Sequence, residues 1–217
     1  MKLSILILTH NRPLLFERCI NSVLNNLPNY DIEILVNNDS NDITEIHNDK
    51  VNIYYYYEKN KKLTDTYKFL YEKSKGEYIF YLEDDDYIKS NFFKFLNFNY
   101  DINFLNYLSK DILTYKRNLA SYYKRFFNKF KSLSKINNLS EFLNIYEPRD
   151  FQFSQIVFKK NGIKYWPTED NIFNDYKIFK SLELETIFYI SKPLWVQTTD
   201  GKDNISFRIF NKDKRFE

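Results

Sequence analysis

A chain of 217 residues with Lys+Arg 32 against Asp+Glu 29 carries a formal net charge of only +3, so it can bury one large α/β core but has no global field to hold a polyanion. Cys19 is its single cysteine, which excludes an intramolecular disulfide and a cysteine-rich zinc site and suits a reducing, cytoplasmic setting. The opening apolar run is cut by polar residues too early for a signal segment, and no window offers the roughly 18 uninterrupted apolar residues of a membrane span.

The run Leu3 to Leu8 reads as a buried strand ending in Thr9-His10-Asn11-Arg12. Pro13 then opens a helix with Leu14, Leu15, Cys19, Ile20, Val23 and Leu24 at near-helical spacing, stopping around Asn25-Asn26 before Pro28. Strands follow at Ile32 to Val36 and Val51 to Tyr57. A second helix covers Leu63 to Lys73, with Gly76 as its stop signal, and a fourth strand covers Tyr78 to Leu82. This alternation predicts a mostly parallel central sheet flanked by helices, in one domain over 1–217 with a nucleotide-binding half (1–100) and a more helical acceptor-side half (101–217). In the second half, helices are expected at 91–98, 113–130, 141–146 and after Thr168, with strands at 153–158, 186–190 and 194–198.

Ligands of an open parallel sheet bind outside the carboxyl ends of its strands, so the residues ending each strand are the ones to inspect. Glu83-Asp84-Asp85-Asp86 stands out: consecutive acids after an apolar strand repel one another unless a cation or a set of donors gathers them. A hard cation such as Mg²⁺ takes one or two protein carboxylates and completes its shell with water and phosphate oxygens. The competing reading is a solvated acidic loop whose Asp86 or Ser90 caps the next helix. Asn37-Asn38-Asp39-Ser40 ends the second strand and could meet a nucleobase, or could be an Asx turn serving its own backbone. Thr168-Glu169-Asp170 could hold a catalytic acid, or could cap the helix that follows.

In this order, the segments Thr-His-Asn-Arg, Val-Asn-Asn-Asp-Ser-Asn-Asp, Lys-Gly-Glu-Tyr-Ile-Phe-Tyr-Leu-Glu-Asp-Asp-Asp and the later Glu-Asp pair resemble the family-2 inverting glycosyltransferases of the GT-A fold, bacterial cell-surface glycan type, over nearly the whole chain. The resemblance implies a Rossmann-like nucleotide-sugar fold and transfer from a nucleotide diphosphate donor, a UDP-sugar in the first instance. Thr9, Asn11 and Arg12 would lie beside the nucleotide and Asn38 at the base. Glu83 and Asp84 would sit near ribose and diphosphate, and Asp85 would ligate Mn²⁺ or Mg²⁺. Asp170, with Glu169 as the alternative, would be the general base. Asn38 replaces the family's usual acid, leaving uracil or cytosine open. Where such relatives often carry Arg and His near the phosphates, the segment 197–206 has no His; Lys202 could supply charge there and Asp200 or Asp203 could reach the metal, whereas His10 and His47 read as strand-end and loop residues rather than metal ligands. A relative that binds sugar nucleotide or glycan without turnover is the alternative.

The implied acceptor is a saccharide or lipid-linked glycan, as in lipooligosaccharide, capsule or glycoprotein synthesis. Between 110 and 135 basic residues alternate with Leu, Tyr and Phe. Such a helix can lie on anionic lipid, which would place the protein at the inner face of the plasma membrane, or can be a solvated face with its aromatic residues packed inward. One basic helix beside an acidic pocket does not argue for nucleic-acid binding.

Overall fold

The computed structural model describes residues 1–41, 44–59, 61–110, 138–145, 152–169 and 174–198. The expected helix 113–130, the basic segment, Asp170, Asp200, Lys202 and Asp203 lie outside them.

The first half follows the sequence closely. Strand β1 (Leu3–Thr9) leads into helix α1 (Pro13–Leu24), then β2 (Ile32–Asn38), β3 (Asn52–Tyr56), helix α2 (Leu63–Lys73) and β4 (Tyr78–Glu83). Residues rich in Ile, Leu and Val, which pack well on both sides of a pleated surface, make β1 and β2 almost wholly buried. The four strands run parallel in the order β3-β2-β1-β4, with Thr9 opposite Asn38 and Leu8 opposite Glu83. All the strand-end motifs therefore open at one edge.

The second half is mixed. It comprises β5 (Tyr87–Ile88), a 3-10 turn (Phe92–Phe95), β6 (Ile102–Lys110), helix α3 (Leu139–Ile145), a 3-10 turn (Phe153–Gln155), β7 (Ile156–Lys159), helix α4 (Asn174–Lys180) and β8 (Ile187–Thr198). Among the described residues these extend the sheet to eight strands, β3-β2-β1-β4-β7-β6-β8-β5. β7 runs antiparallel to both β4 and β6, β8 parallel to β6, and β5 antiparallel to β8.

Alternation along the strands divides the core into two layers. Ile5, Ile7, Ile34, Val36, Phe80 and Leu82 pack with Phe16, Cys19, Ile20 and Val23 of α1 on one face. Leu6, Leu35, Ile79 and Tyr81 pack with Tyr67, Leu70 and Tyr71 of α2, Phe142 of α3 and Ile178 and Phe179 of α4 on the other. Each such large side chain removed from water contributes about 1.5–3 kcal/mol. Many aromatic residues belong to this core: Tyr81 stacks on Phe153 at 4.4 Å between ring centres, and Tyr67 meets Tyr81 edge-on at 4.9 Å.

Several expectations are corrected. The apolar stretch 91–98 forms only a single 3-10 turn, entered through Asn91 at φ 67. Residues 153–155 are a 3-10 turn before the strand, and the strands expected at 186–190 and 194–198 are one continuous β8. β6 is a strand that the sequence pattern did not suggest. Gly76 is needed for close approach rather than to stop α2, because a Cβ there would lie 2.4 Å from the Ser4 backbone nitrogen. No helix among the described residues is long and apolar enough to cross a membrane.

Candidate active site at the carboxyl edge of the sheet

β4 delivers the acids to the edge, and a tight turn folds them inward, with the Asp86 amide donating to the Glu83 carbonyl at 3.0 Å. Asp84, Asp85 and Asp86 are 0%, 1% and 1% exposed, so this is no solvated acidic loop. Carboxylate oxygens of Glu83, Asp85 and Asp86 lie within 4.8 Å of one another. Each acid has a different set of neighbours.

Asp86 is braced on both oxygens. The Trp195 indole N–H donates to Oδ2 at 3.1 Å and the Thr198 amide to Oδ1 at 2.9 Å, tying the acidic turn to the end of β8. Burial, followed by the charges of Glu83 and Asp85, pushes its carboxyl well above the usual range. Asp84 pairs with Arg12, whose Nη2 lies 2.6 Å from Oδ1; burial still raises it to about 6. Asp85 Oδ2 accepts from Arg12 Nη1 at 3.0 Å, while its buried Oδ1 has no hydrogen-bond partner among the described residues. Burial raises Asp85 against the opposing pull of Arg12 and Arg18. Glu83 is pushed up to about 8 by burial and then by the charges of Asp85 and Asp175.

Arg12 sits where β1 gives way to α1, and the acid charges raise its pKa despite burial. Arg18, farther along α1, donates to Thr198 Oγ1 at 3.0 Å and to the Asp85 carbonyl, and its guanidinium lies over the Tyr87 ring. The Cys19 thiol donates to the Glu83 carbonyl at 3.4 Å, so α1 also supports the turn from below.

The residues expected beside the nucleotide gather at the same edge. Thr9 and Asn38 are buried and in register across β1 and β2. Asn38 Oδ1 accepts from the Ser40 amide at 2.9 Å, and Asn37 exchanges hydrogen bonds with the backbone of Glu58 at 3.1 Å. The Asx-turn reading of this segment thus describes its local bonding. Asn11 is exposed at φ 52, its amide donating to Ser40 Oγ at 2.6 Å. His10 is an exposed strand-end residue beside Asp39. Glu169 is exposed, and its carbonyl accepts from Asn174 Nδ2 at 2.7 Å; Asp170 lies outside the described residues.

Sequence reasoning did not single out Arg18, Asn174, Asp175, Trp195 or Thr198. Asp175, in the first turn of α4, accepts from the Phe153 amide at 3.3 Å, and burial raises it to about 6. Its only local signal was that of an acid at a helix start, which many exposed residues share.

The donor set suits a divalent cation. It offers only hard oxygen ligands, an unpartnered oxygen on Asp85, and a Glu83 carboxyl that a cation would return to its charged form. Asp86 is already committed to Trp195 and Thr198. Asp85 and Glu83 could hold such an ion.

A parallel nucleotide-type half continued by a mixed half, with acids at the carboxyl edge of β4, defines a GT-A domain. Solved structures of S. aureus TarS share it. Residues 1–349 of that protein align at 15% identity and a TM-score of 0.64, covering 91% of this chain and 60% of theirs. The corresponding complex with UDP-GlcNAc gives 16% identity, a TM-score of 0.65 and 95% and 61% coverage, and the complex with UDP 16%, 0.63, 92% and 61%. This chain thus spans about three fifths of those structures. The profile described as Glycosyl transferase family 2 matches residues 4–151, and the chain belongs to that family. No curated protein sequence was found to match it.

Proposed function

We propose that this protein is a metal-dependent inverting glycosyltransferase that moves a sugar from a UDP-sugar to a hydroxyl of a saccharide or lipid-linked glycan. The observation that carries the reading is the convergence of Glu83, Asp85 and Asp86 oxygens within 4.8 Å, with Arg12 on Asp84 and Asp85. Hard oxygen ligands and a guanidinium at one strand end suit a diphosphate. UDP is the first candidate because UDP and UDP-GlcNAc are bound in the TarS structures of the same fold.

In the proposed reaction, Asp170 accepts the proton of the acceptor hydroxyl while that oxygen attacks the anomeric carbon, and the bond to the diphosphate breaks on the opposite face. One substitution inverts the configuration. Asp85 and Glu83 would hold a Mn²⁺ or Mg²⁺ ion, which would supply charge neutralisation for the diphosphate. Arg12 adds a cation beside the same carboxylates, and buried Thr9 and Asn38 border the nucleotide. The basic segment 110–135 remains a candidate for peripheral membrane contact with a lipid-linked acceptor.

A silent, binding-only relative is the second reading, favoured by the engagement of Asn38 Oδ1 with the Ser40 amide. The deciding measurement is thermal stability with UDP, CDP, GDP and dTDP, with and without Mn²⁺ or Mg²⁺, because a ligand of the folded state stabilises it by about 2.7 kcal/mol at a hundred times its Kd. A metal-dependent rise with UDP, absent in Asp85→Ala, is expected; no rise with any nucleotide overturns the donor site. Asp170→Asn should then lose about 10²–10⁴-fold of turnover while still binding UDP, whereas a silent relative has no turnover to lose.

A further inference from the structure

Asp175 is an acid to which the proposed reaction gives no task. It lies in the first turn of α4, and the groups that favour its charged form are two backbone amides, its own and that of Phe153, which is 3.3 Å from Oδ2. No cation among the described residues offsets its charge, so burial prevails and raises it to about 6. Asparagine would keep an acceptor for the Phe153 amide without the charge, so the carboxylate costs stability that its neutral isostere would not. An acid held at such a cost beside a cleft of other acids is a candidate for function.

The fold brings this carboxylate to the acidic turn. Side chains alternate along β4, so Glu83 points to the same face as Ile79 and Tyr81, the face that α2 and α4 cover. Phe153, whose amide holds Asp175, stacks on Tyr81 at 4.4 Å between ring centres and meets Tyr67 of α2 at 5.8 Å. Asp175 therefore stands near the end of β4 on the side where Glu83 emerges, and after Asp85 it is the acid whose charge most raises Glu83. Both side chains are partly open to solvent. The α1 side of the same turn carries Arg12, paired with Asp84 and Asp85.

Resting on the donor site proposed above, with the diphosphate beside Arg12, we infer that Asp175 is a sugar-contacting residue: across from Glu83, its carboxylate accepts a hydrogen bond from a hydroxyl of the sugar being transferred. A sugar extending from a diphosphate at Arg12 has the Glu83 and Asp175 side of the turn as its neighbour. A sugar hydroxyl supplies the donor that this carboxylate otherwise lacks, and a hydrogen bond to an ionised acceptor is about twice as strong as one between neutral groups. The contact is made to the sugar and not to the nucleotide, so it selects among donors by the placement of one hydroxyl and leaves the grip on UDP unchanged.

The test is equilibrium binding by calorimetry on the whole chain with Mn²⁺, using UDP, UDP-GlcNAc, UDP-glucose and UDP-galactose, for wild type, Asp175→Asn and Asp175→Ala. Both variants should hold UDP within about twofold of wild type and lose about 10-fold or more in affinity for the UDP-sugar that wild type binds tightest, the loss expected for a hydrogen bond to a charged group. Asp175→Asn keeps an acceptor for the Phe153 amide and so isolates the charge should Asp175→Ala fail to fold. Unchanged affinity of Asp175→Asn for all three UDP-sugars, with UDP bound as in wild type, overturns the sugar contact and leaves the donor site standing. A fall in UDP release from a UDP-sugar without loss of its affinity also overturns it, because the carboxylate then acts on the reaction and not on holding the sugar. A wild type that binds neither UDP nor any of the three overturns the donor site and the sugar contact with it.

Discussion

Neighbouring carboxylates at one strand end perform different jobs because their partners differ. Asp86 gives both oxygens to N–H donors of β8, which makes it a structural tie. An amide in its place has only one acceptor, so Asp86→Asn loses one of its two hydrogen bonds, from Trp195 or from Thr198, at a cost of about 1–3 kcal/mol. Urea unfolding measures this, and an unchanged midpoint would mean that Asp86 is not the tie. Asp175 makes the opposite kind of contribution. Burial raises its pKa from the ordinary value near 4 to about 6, so the folded state penalises its ionisation. That penalty is absent below about pH 4, grows between pH 4 and 6 and is complete above, so this group makes the wild type less stable as pH rises through the window. Asp175→Asn should therefore match wild type at pH 4 and be more stable by about 2 kcal/mol at pH 8, read from denaturation midpoints at both values. Equal stability at pH 8 would show that the carboxylate is compensated there. The acids of 83–86 were legible because their run is unusual, whereas Asp175 and Arg18 gain meaning only from Phe153, Thr198 and the Asp85 backbone, all distant in sequence.

At the scale of elements, the parallel half was legible because its signals are local. Unbroken β-branched runs give β1 and β2, and helical spacing gives α1 and α2. β6 was hidden by Asn103 and Asn106, polar residues in a buried strand. Their partners explain them: Asn103 accepts from the Asn97 amide at 2.7 Å, and Asn106 Nδ2 donates to the Ser191 carbonyl at 2.7 Å. The second contact also covers the place where β8 carries Pro193, opposite Asn106, and where the register shifts. A proline interrupts the ladder of a strand, and the side-chain bond across the irregularity lets β8 continue as one. Where β1 meets β4, Ser4 Oγ accepts from the Gly76 amide at 2.7 Å and donates to buried Glu33 at 2.6 Å. A methyl group at Gly76 would sit 2.5 Å from that same oxygen, so Gly76→Ala has to displace the pair. A loss of about 1–3 kcal/mol in unfolding free energy is expected. A loss below about 0.5 kcal/mol would show that the start of β4 yields easily.

The two layers of the molecule share one sheet, and β8 closes that sheet back onto the site made by β1 and β4. Trp195 is fully buried in the layer that contains α1, and Trp166 packs against the layer containing α2, α3 and α4. With Thr198 contacting Asp85, Asp86 and Arg18, opening the second half would remove the donors that β8 supplies to the acidic turn. Separate unfolding of the second half would thus cost the Asp86 tie and uncover the sheet that both halves share, which disfavours opening one half alone. A single cooperative transition follows. Trp166→Phe, which leaves Trp195 as the fluorescent reporter of one layer, should unfold in urea with fluorescence and far-ultraviolet circular dichroism coinciding. Trp195→Phe, reporting the other layer through Trp166, should also give coincident curves, at a lower midpoint because the Asp86 tie is lost. Curves that separate in both variants would show two independently stable units and place the division between the parallel and mixed halves of the sheet.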